Sequence, residues 1–331
     1  MSKELKEGLE STIFIDREKV NEAIEQEGKY QTDEITITKW EGAKTADSYL
    51  VEISKSNIKF NGILNKFFER EGCGIHFFEN GEKYFGAFKE DKRNSNGVYF
   101  WPSVEIDGRI KSELYFGFWK NDQKDNNGIY VWLDEPKKDK IFDNTNMEAY
   151  VGRFDHGNYK TGTFLQKIGD DYYLYYGNFT KNGQKNDENG YFYSSKLDKL
   201  FHGKIENDIF IAGYVVSFNS DTGEISNIVH STFDKDLNVS KIIMEKDLME
   251  SEKVDECKNC SRFRDVILGI DYFGELYKRI KDITKFVDDN MNNINVFNDV
   301  QKFPLMNKLI VSYTKNNIDK DILSKVFENQ F

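Results

Sequence analysis

The chain has 331 residues, 38% of them hydrophobic and 15% aromatic, with 24 Gly and only 3 Pro. That length exceeds one typical domain of roughly 100 to 200 residues and the apolar share supports a real core, which predicts two structural units and excludes a disordered or Pro-rich chain. The net charge of −11 removes most of the attraction that nucleic acid or an anionic membrane would supply, leaving other proteins as the expected partners.

The start, Met1-Ser2-Lys3-Glu4-Leu5, is acidic and lacks the apolar core of a signal peptide, and it is too rich in Glu for a mitochondrial presequence. No stretch approaches the apolar length that spans a bilayer. The three cysteines, Cys73, Cys257 and Cys260, are too few and too odd in number for a disulfide framework. A reducing compartment is expected, and with it a cytoplasmic or cytoskeletal protein. Residues 1–55 read as an N-terminal extension. Within it, Asp16–Ile24 is helix-like, and Glu34–Trp40 alternates Ile35 and Ile37 as a strand that could cover an open sheet edge.

Residues 56–216 are repetitive. The unit is an aromatic-x-Gly-x-aromatic run, followed 10 to 13 positions after its glycine by a second Gly that leads an apolar pair. Four good copies are Tyr84-Phe85-Gly86-Ala87-Phe88 with Gly97, Tyr115-Phe116-Gly117-Phe118-Trp119 with Gly128, Tyr150-Val151-Gly152-Arg153-Phe154 with Gly162, and Tyr175-Tyr176-Gly177-Asn178-Phe179 with Gly190. Degenerate copies at Phe60-Asn61-Gly62 and Phe201-His202-Gly203 flank them. Each copy reads as two short strands joined by a polar turn such as Asn182-Gly183. Single hairpins are marginal in water, so neighbours are expected to stack into one continuous sheet.

At these residues the chain resembles the MORN-repeat family, most closely over 175–192. It departs from the family in two ways. Only Gly72-Cys73-Gly74 keeps a Gly-x-Gly, whereas Asn96, Asn127 and Asn189 precede the second glycine elsewhere. The spacing also stretches after Gly86 and Gly117, which predicts hairpin insertions around 102–111 and 134–147. The expected fold is mainly β with α: an elongated single-layer antiparallel sheet of about six MORN-like hairpins plus a helical C-terminal region. Two uses remain open for the motif residues. Glycines and aromatics can build the sheet, or part of the aromatic set, taken here as Phe88, Trp119, Phe154 and Phe179, can form an exposed binding face.

Residues 217–331 read as the helical region, entered through a flexible joint near 217–240. From Phe263 to Val287 apolar residues recur with helical period, predicting a helix over 261–290, and shorter helices are expected after Pro304. Residues 241–331 hold 15 Lys plus Arg against 16 Asp plus Glu, so nearly all the net negative charge lies in the first 240 residues.

No catalytic constellation emerges. Cys257-Lys258-Asn259-Cys260 has no second ligand pair downstream, and His76, His156, His202 and His230 match no metal or triad spacing. Neither GxGxxG nor GxxxxGK[ST] occurs in a phosphate-binding context. The expectation is therefore a non-catalytic scaffold with no cofactor, no metal and no small-molecule substrate, whose partners are other protein subunits of a larger assembly. The family resemblance implies a cytoskeletal setting such as the radial spokes of a ciliary axoneme. The alternative it implies is a membrane- or phosphoinositide-tethering module. The Asn- and Lys-rich, Pro-poor composition resembles that of proteins from AT-rich protist genomes.

Overall fold

The computed structural model describes residues 17–32, 36–42, 48–55, 58–65, 67, 69–137, 145–219, 225–233 and 239–246, with scattered helical residues between 274 and 289. The described residues divide into two compact units. One comprises those up to Ser103, Glu113–Gln123 and those from Asp282 on; the other comprises Val104–Ser112 and Lys124–Lys281.

In the first unit, α1 (Arg17–Glu27) packs against β1 (Tyr30–Gln31) and β2 (Thr36–Gly42), with Val20 and Ile37 fully buried. The strands β3 (Ser48–Lys55), β4 (Ile58–Asn65), β5 (Arg70–Phe77), β6 (Lys83–Lys89) and β7 (Lys92–Phe100) follow. Each pairs antiparallel with the next, and β7 pairs with the C-terminal part of β9 (Arg109–Lys120) across the short β8 (Val104–Ile106).

In the second unit, β8 folds back on the first residues of β9 around Asp107 and Gly108, both at positive φ, so the insertion expected at 102–111 is a hairpin. The main ladder runs through β10 (Gln123–Pro136), β11 (Asn146–Asp155), β12 (Asn158–Ile168), β13 (Asp171–Asn178) and β14 (Asp187–Ser194). It continues through β15 (Lys199–Glu206), β16 (Ile209–Phe218), β17 (Ile225–Phe233) and β18 (Val239–Lys246), each strand antiparallel to its neighbour.

The register aligns the repeat glycines in rows across the strands. Gly62, Gly74, Gly86, Gly97 and Gly117 are successive partners in the first unit; Gly128, Gly152, Gly162 and Gly177, then Gly190, Gly203 and Gly213, are partners in the second. Because side chains alternate along a strand, each glycine row marks one face, shared by the repeat tyrosines two residues away. The opposite face carries Ile75, Phe85, Val98 and Phe116 in the first unit and Val131, Leu165, Leu174, Leu200 and Val216 in the second, all buried.

Two sequence expectations change. The antiparallel ladder exceeds six hairpins, because β2 and β3 precede residue 56. The helical region does not begin at 217: β17 and β18 continue the sheet through the expected joint at 217–240, and Ser231 is fully buried there. Neither pair carries the full aromatic-x-Gly-x-aromatic signature; β2 ends on Trp40-Glu41-Gly42 with no second aromatic after it. Their β-branched residues, Ile37, Val51, Ile53, Ile228 and Val229, hold strand positions by ordinary packing, so a search for the repeat misses them.

Candidate protein-docking face

Each good repeat is built around one ring. The Tyr84 ring lies over the Gly86–Gly97 pair: a Cβ on Gly86 would sit 2.4 Å from the Tyr84 hydroxyl and 2.6 Å from the Gly97 Cα. No side chain fits there, and this is the physical origin of the Gly pairing in the motif. The covered hydroxyl is satisfied three residues on, where Tyr84 donates to the Ala87 carbonyl at 2.9 Å. Tyr115, Tyr150 and Tyr175 donate in the same way to Phe118, Arg153 and Asn178. Burial raises the pKa of Tyr84 and Tyr175, which keeps both phenols neutral donors.

The aromatic four residues after each tyrosine packs edge-on against it. Ring centroids lie 5.0 Å apart for Tyr84–Phe88, 5.1 Å for Tyr115–Trp119, 5.0 Å for Tyr150–Phe154 and 5.2 Å for Tyr175–Phe179, all near perpendicular. The same rings meet the neighbouring repeat, as in Phe60–Phe88, Tyr84–Trp119 and Tyr150–Phe179.

These contacts correct the expected binding set. Phe88, Trp119 and Phe154 are each only 3% exposed, and Phe179 is half-buried, so they form the internal ring ladder and not an exposed face. Reading these residues as an exposed face leaves out the rings of the neighbouring repeats, which pack against them.

Cations close the ladder from the side. The turns at Glu90-Asp91, Asn121-Asp122 and Asn207-Asp208 hold both residues at positive φ, as two-residue hairpins require. In each, the aspartate reaches back to an earlier residue, Arg70 and Arg93 at the starts of β5 and β7 and Lys185 just before β14. Arg70 bonds the Asp91 carboxylate through its backbone N–H (2.7 Å) and Nε (3.1 Å). Arg93 bonds Asp122 at 2.8 and 3.0 Å, and Lys185 bonds Asp208 at 2.9 and 3.3 Å. The Arg93 guanidinium also lies 4.3 Å from the Trp119 ring and 4.9 Å from the Tyr99 ring.

What the glycine face does offer is a concavity of about 350 Å³ in the second unit, lined by Phe164, Gln166, Ile168, Tyr173, Tyr175, Lys185 and Phe192. Its Tyr175 belongs to a buried cluster with Phe201, Ile205 and Phe210, against which Phe164 and Phe192 pack, and Ile168 is 51% exposed. Lys185 lies 4.8 Å over the Phe164 ring, and Gln166 donates to Glu148 at 2.6 Å. The spacing of the motif alone could not reveal this hollow, because Phe164, Tyr173 and Phe192 belong to three different strands.

Of the expected 261–290 helix, only some residues between 274 and 289 are described. Tyr277 and Lys281 both bond the carboxylate of Glu135 at the end of β10, and Ile280 is buried. At that point the apolar stripe is used within the chain. Cys257, Cys260 and the helices expected after Pro304 lie outside the described residues. Cys73 is partly buried, and burial pushes its thiol up to about 12, so it is an unreactive filler.

No group of three or more His, Cys, Asp or Glu among the described residues could hold a metal ion, and no described helix is long and apolar enough to cross a membrane. The architecture defines a repeat protein made of glycine–tyrosine hairpins. A model of the MORN repeat matches residues 84–103 and 115–134, the two hairpin starts at Tyr84 and Tyr115, so the chain carries MORN repeats there. MORN repeats suggest a protein-binding or membrane-associated repeat protein. No curated protein matches the chain.

Proposed function

We propose that this chain is a non-catalytic scaffold subunit that docks other proteins on the glycine face of its sheet. The observation that carries this reading is the open, apolar-lined hollow in the second unit, with Ile168 exposed at its edge. A hollow of that size takes one or two side chains of a partner, and large rings in a desolvated setting are typical anchors. The chain's net charge of −11 supports a protein partner over an anionic membrane. The family's cytoskeletal and ciliary members support the axoneme as the first place to look. The test is size-exclusion chromatography of native extract beside the recombinant chain, repeated with Ile168→Glu. The wild type is expected in a larger species, and Ile168→Glu, at an exposed position that spares the fold, is expected to release it. Elution of the native wild type as a lone monomer would sink the proposal.

A further inference from the structure

The hollow of the second unit has a direction. Phe164, Tyr175 and Phe192 are successive register partners on β12, β13 and β14 and form one row of its lining; Gln166 and Tyr173, partners one step along the same face, form the next. Ile168, four residues beyond Phe164 on β12, ends the lining. Side chains on one face of a strand recur at every second residue, about 6.7 Å apart, so the lining extends about 13 Å from Phe164 to Ile168.

Its two ends differ in chemistry. At the Phe164 end, the half-buried Lys185 ammonium lies 4.8 Å from the Phe164 ring centroid and 5.9 Å from that of Tyr175, and it bonds the Asp208 carboxylate at 3.3 Å. An ammonium carries three N–H donors. Lys204 of the same unit is shared between two carboxylates, Glu188 at 3.2 Å and Glu206 at 2.7 Å, so a lysine already paired can take a second anion. The middle of the hollow is ring surface: Tyr173 and Phe192 are nearly parallel, with centroids 6.3 Å apart, and both are half-buried. At the far end the exposed Ile168 offers only apolar surface.

We infer that the hollow takes an extended segment of a partner protein that carries a carboxylate, an aromatic ring and an aliphatic side chain at alternate positions, i, i+2 and i+4. This rests on the docking function proposed above and names the partner's chemistry at the same site. An extended segment repeats its side chains at the spacing of the strands beneath it, so three alternate positions span the lining of about 13 Å. The carboxylate then meets Lys185, the ring lies on Tyr173 and Phe192, and the aliphatic group covers Ile168. Charge complementarity fixes the first position, since Lys185 attracts an anion at the Phe164 end and repels a cation there. The net charge of −11 opposes an acidic segment at long range, but physiological salt screens that opposition beyond about 8 Å, and the contact with Lys185 decides.

The probe is a blocked, fluorescent Gly-Glu-Ser-Phe-Ser-Leu-Gly peptide, titrated with the full chain and followed by anisotropy, beside analogues with Gln for its Glu or Ala for its Phe. Saturable binding is expected, about tenfold weaker for the Gln analogue and weaker again for the Ala analogue. Lys185→Gln should lower the affinity for the Glu peptide to that of the Gln analogue and leave the Gln analogue unchanged, a pattern that a general loss of structure does not give. Ile168→Glu should weaken all three peptides, and Leu197→Glu, at an exposed apolar position outside the hollow, none of them. No saturable binding, equal affinity for the Glu and Gln peptides, equal losses for both in Lys185→Gln, or a loss in Leu197→Glu matching that in Ile168→Glu would overturn the inference. Size-exclusion of native extract separates the two claims. If native wild type runs in a larger species while the purified chain ignores the peptide, docking stands and this segment is not its contact. If native wild type elutes alone, the docking function fails and the inference with it.

Discussion

The four tyrosine hairpins and the two phenylalanine hairpins that flank them solve the same packing problem with different means. Where Tyr84, Tyr150 and Tyr175 stand, the ring covers the two repeat glycines, and each hydroxyl, like that of Tyr115, is tied to a carbonyl three residues on. Phe60 still lies over its pair, with its ring 2.6 Å from a Cβ on Gly62 or Gly74, but it has no hydroxyl to tie. At Phe201 the clash shifts to backbone: a Cβ on Gly203 would meet the Ala212 carbonyl at 2.3 Å, and one on Gly213 the His202 carbonyl at 2.3 Å. The glycine row is therefore the constant of the fold, and the tyrosine is a refinement carried by the central repeats.

The largest way to break this comparison is to fill the row. Gly86→Val should cost about 3 kcal/mol or abolish folding, since its Cβ meets a backbone atom as well as the Tyr84 ring. Gly157→Ala is the contrast: its Cβ would meet nothing, and only the left-handed φ of 84° is penalised, at about 1 kcal/mol. Chemical denaturation of the two variants should separate them clearly; equal losses would reject the ring-over-glycine account.

The phenylalanine hairpins also hold the two buried histidines whose basicity the fold depresses, which predicts where the molecule is acid-sensitive. His202 stacks on Tyr191 at 4.1 Å, and burial, partly opposed by Asp187, lowers its pKa to about 4. His76 accepts from the Arg70 guanidinium at Nδ1 (2.8 Å), so it is the neutral Nε2–H tautomer; burial first, then the Arg70 and Arg93 cations, hold its pKa well below 6.5. Both folded values lie below the unfolded one. Their stabilisation is complete above about pH 6.5 and is lost as the pH falls from there toward the folded values, at up to about 1.4 kcal/mol per pH unit for each group. Melting between pH 7 and 4.5 should show wild type losing more stability than His202→Phe. Parallel curves would mean that His202 is already solvated.

How much of this was legible beforehand follows from the chemistry of each feature. Tyr84, Gly86 and Phe88 announce themselves because a ring over a glycine pair admits few alternatives. The strand expected over Glu34–Trp40 corresponds to β2, whereas β3, β17 and β18 satisfy a looser condition that many sequences meet and carry no repeat signature. The spacing of Phe88, Trp119 and Phe154 in the repeat does not give their exposure, because burial by the next repeat depends on register. The hollow around Phe164 and Phe192 joins residues that only strand pairing brings together.

Removing the refinement gives a smaller effect. Tyr84→Phe makes a central hairpin resemble the Phe60 one and deletes a single hydrogen bond to Ala87, worth about 1 kcal/mol. The donor leaves with its hydroxyl and the Ala87 carbonyl loses one partner, so a loss above about 2 kcal/mol in thermal melting would mean that the hydroxyl also braces Gly97.

The smallest expected effect is a gain, and it tests why the family's Gly-x-Gly is incomplete here. Two residues before the repeat glycine, Gly72 has φ 68°, and the equivalent Ser95 and Asn126 adopt φ 66° and 52°. The left-handed kink that the first glycine serves is thus conserved in geometry without the glycine, next to the register shift opposite Gly86–Phe88. Asparagine tolerates this conformation better than serine, so the cost should be greater at Ser95. Ser95→Gly relieves it but frees the unfolded chain, and the two terms leave a net gain of about 0.5 kcal/mol. Asn126→Gly should be near neutral. Denaturant midpoints, with unchanged slopes, would resolve the difference; a destabilised Ser95→Gly would show that the serine side chain contributes more to the kink than its backbone strain costs.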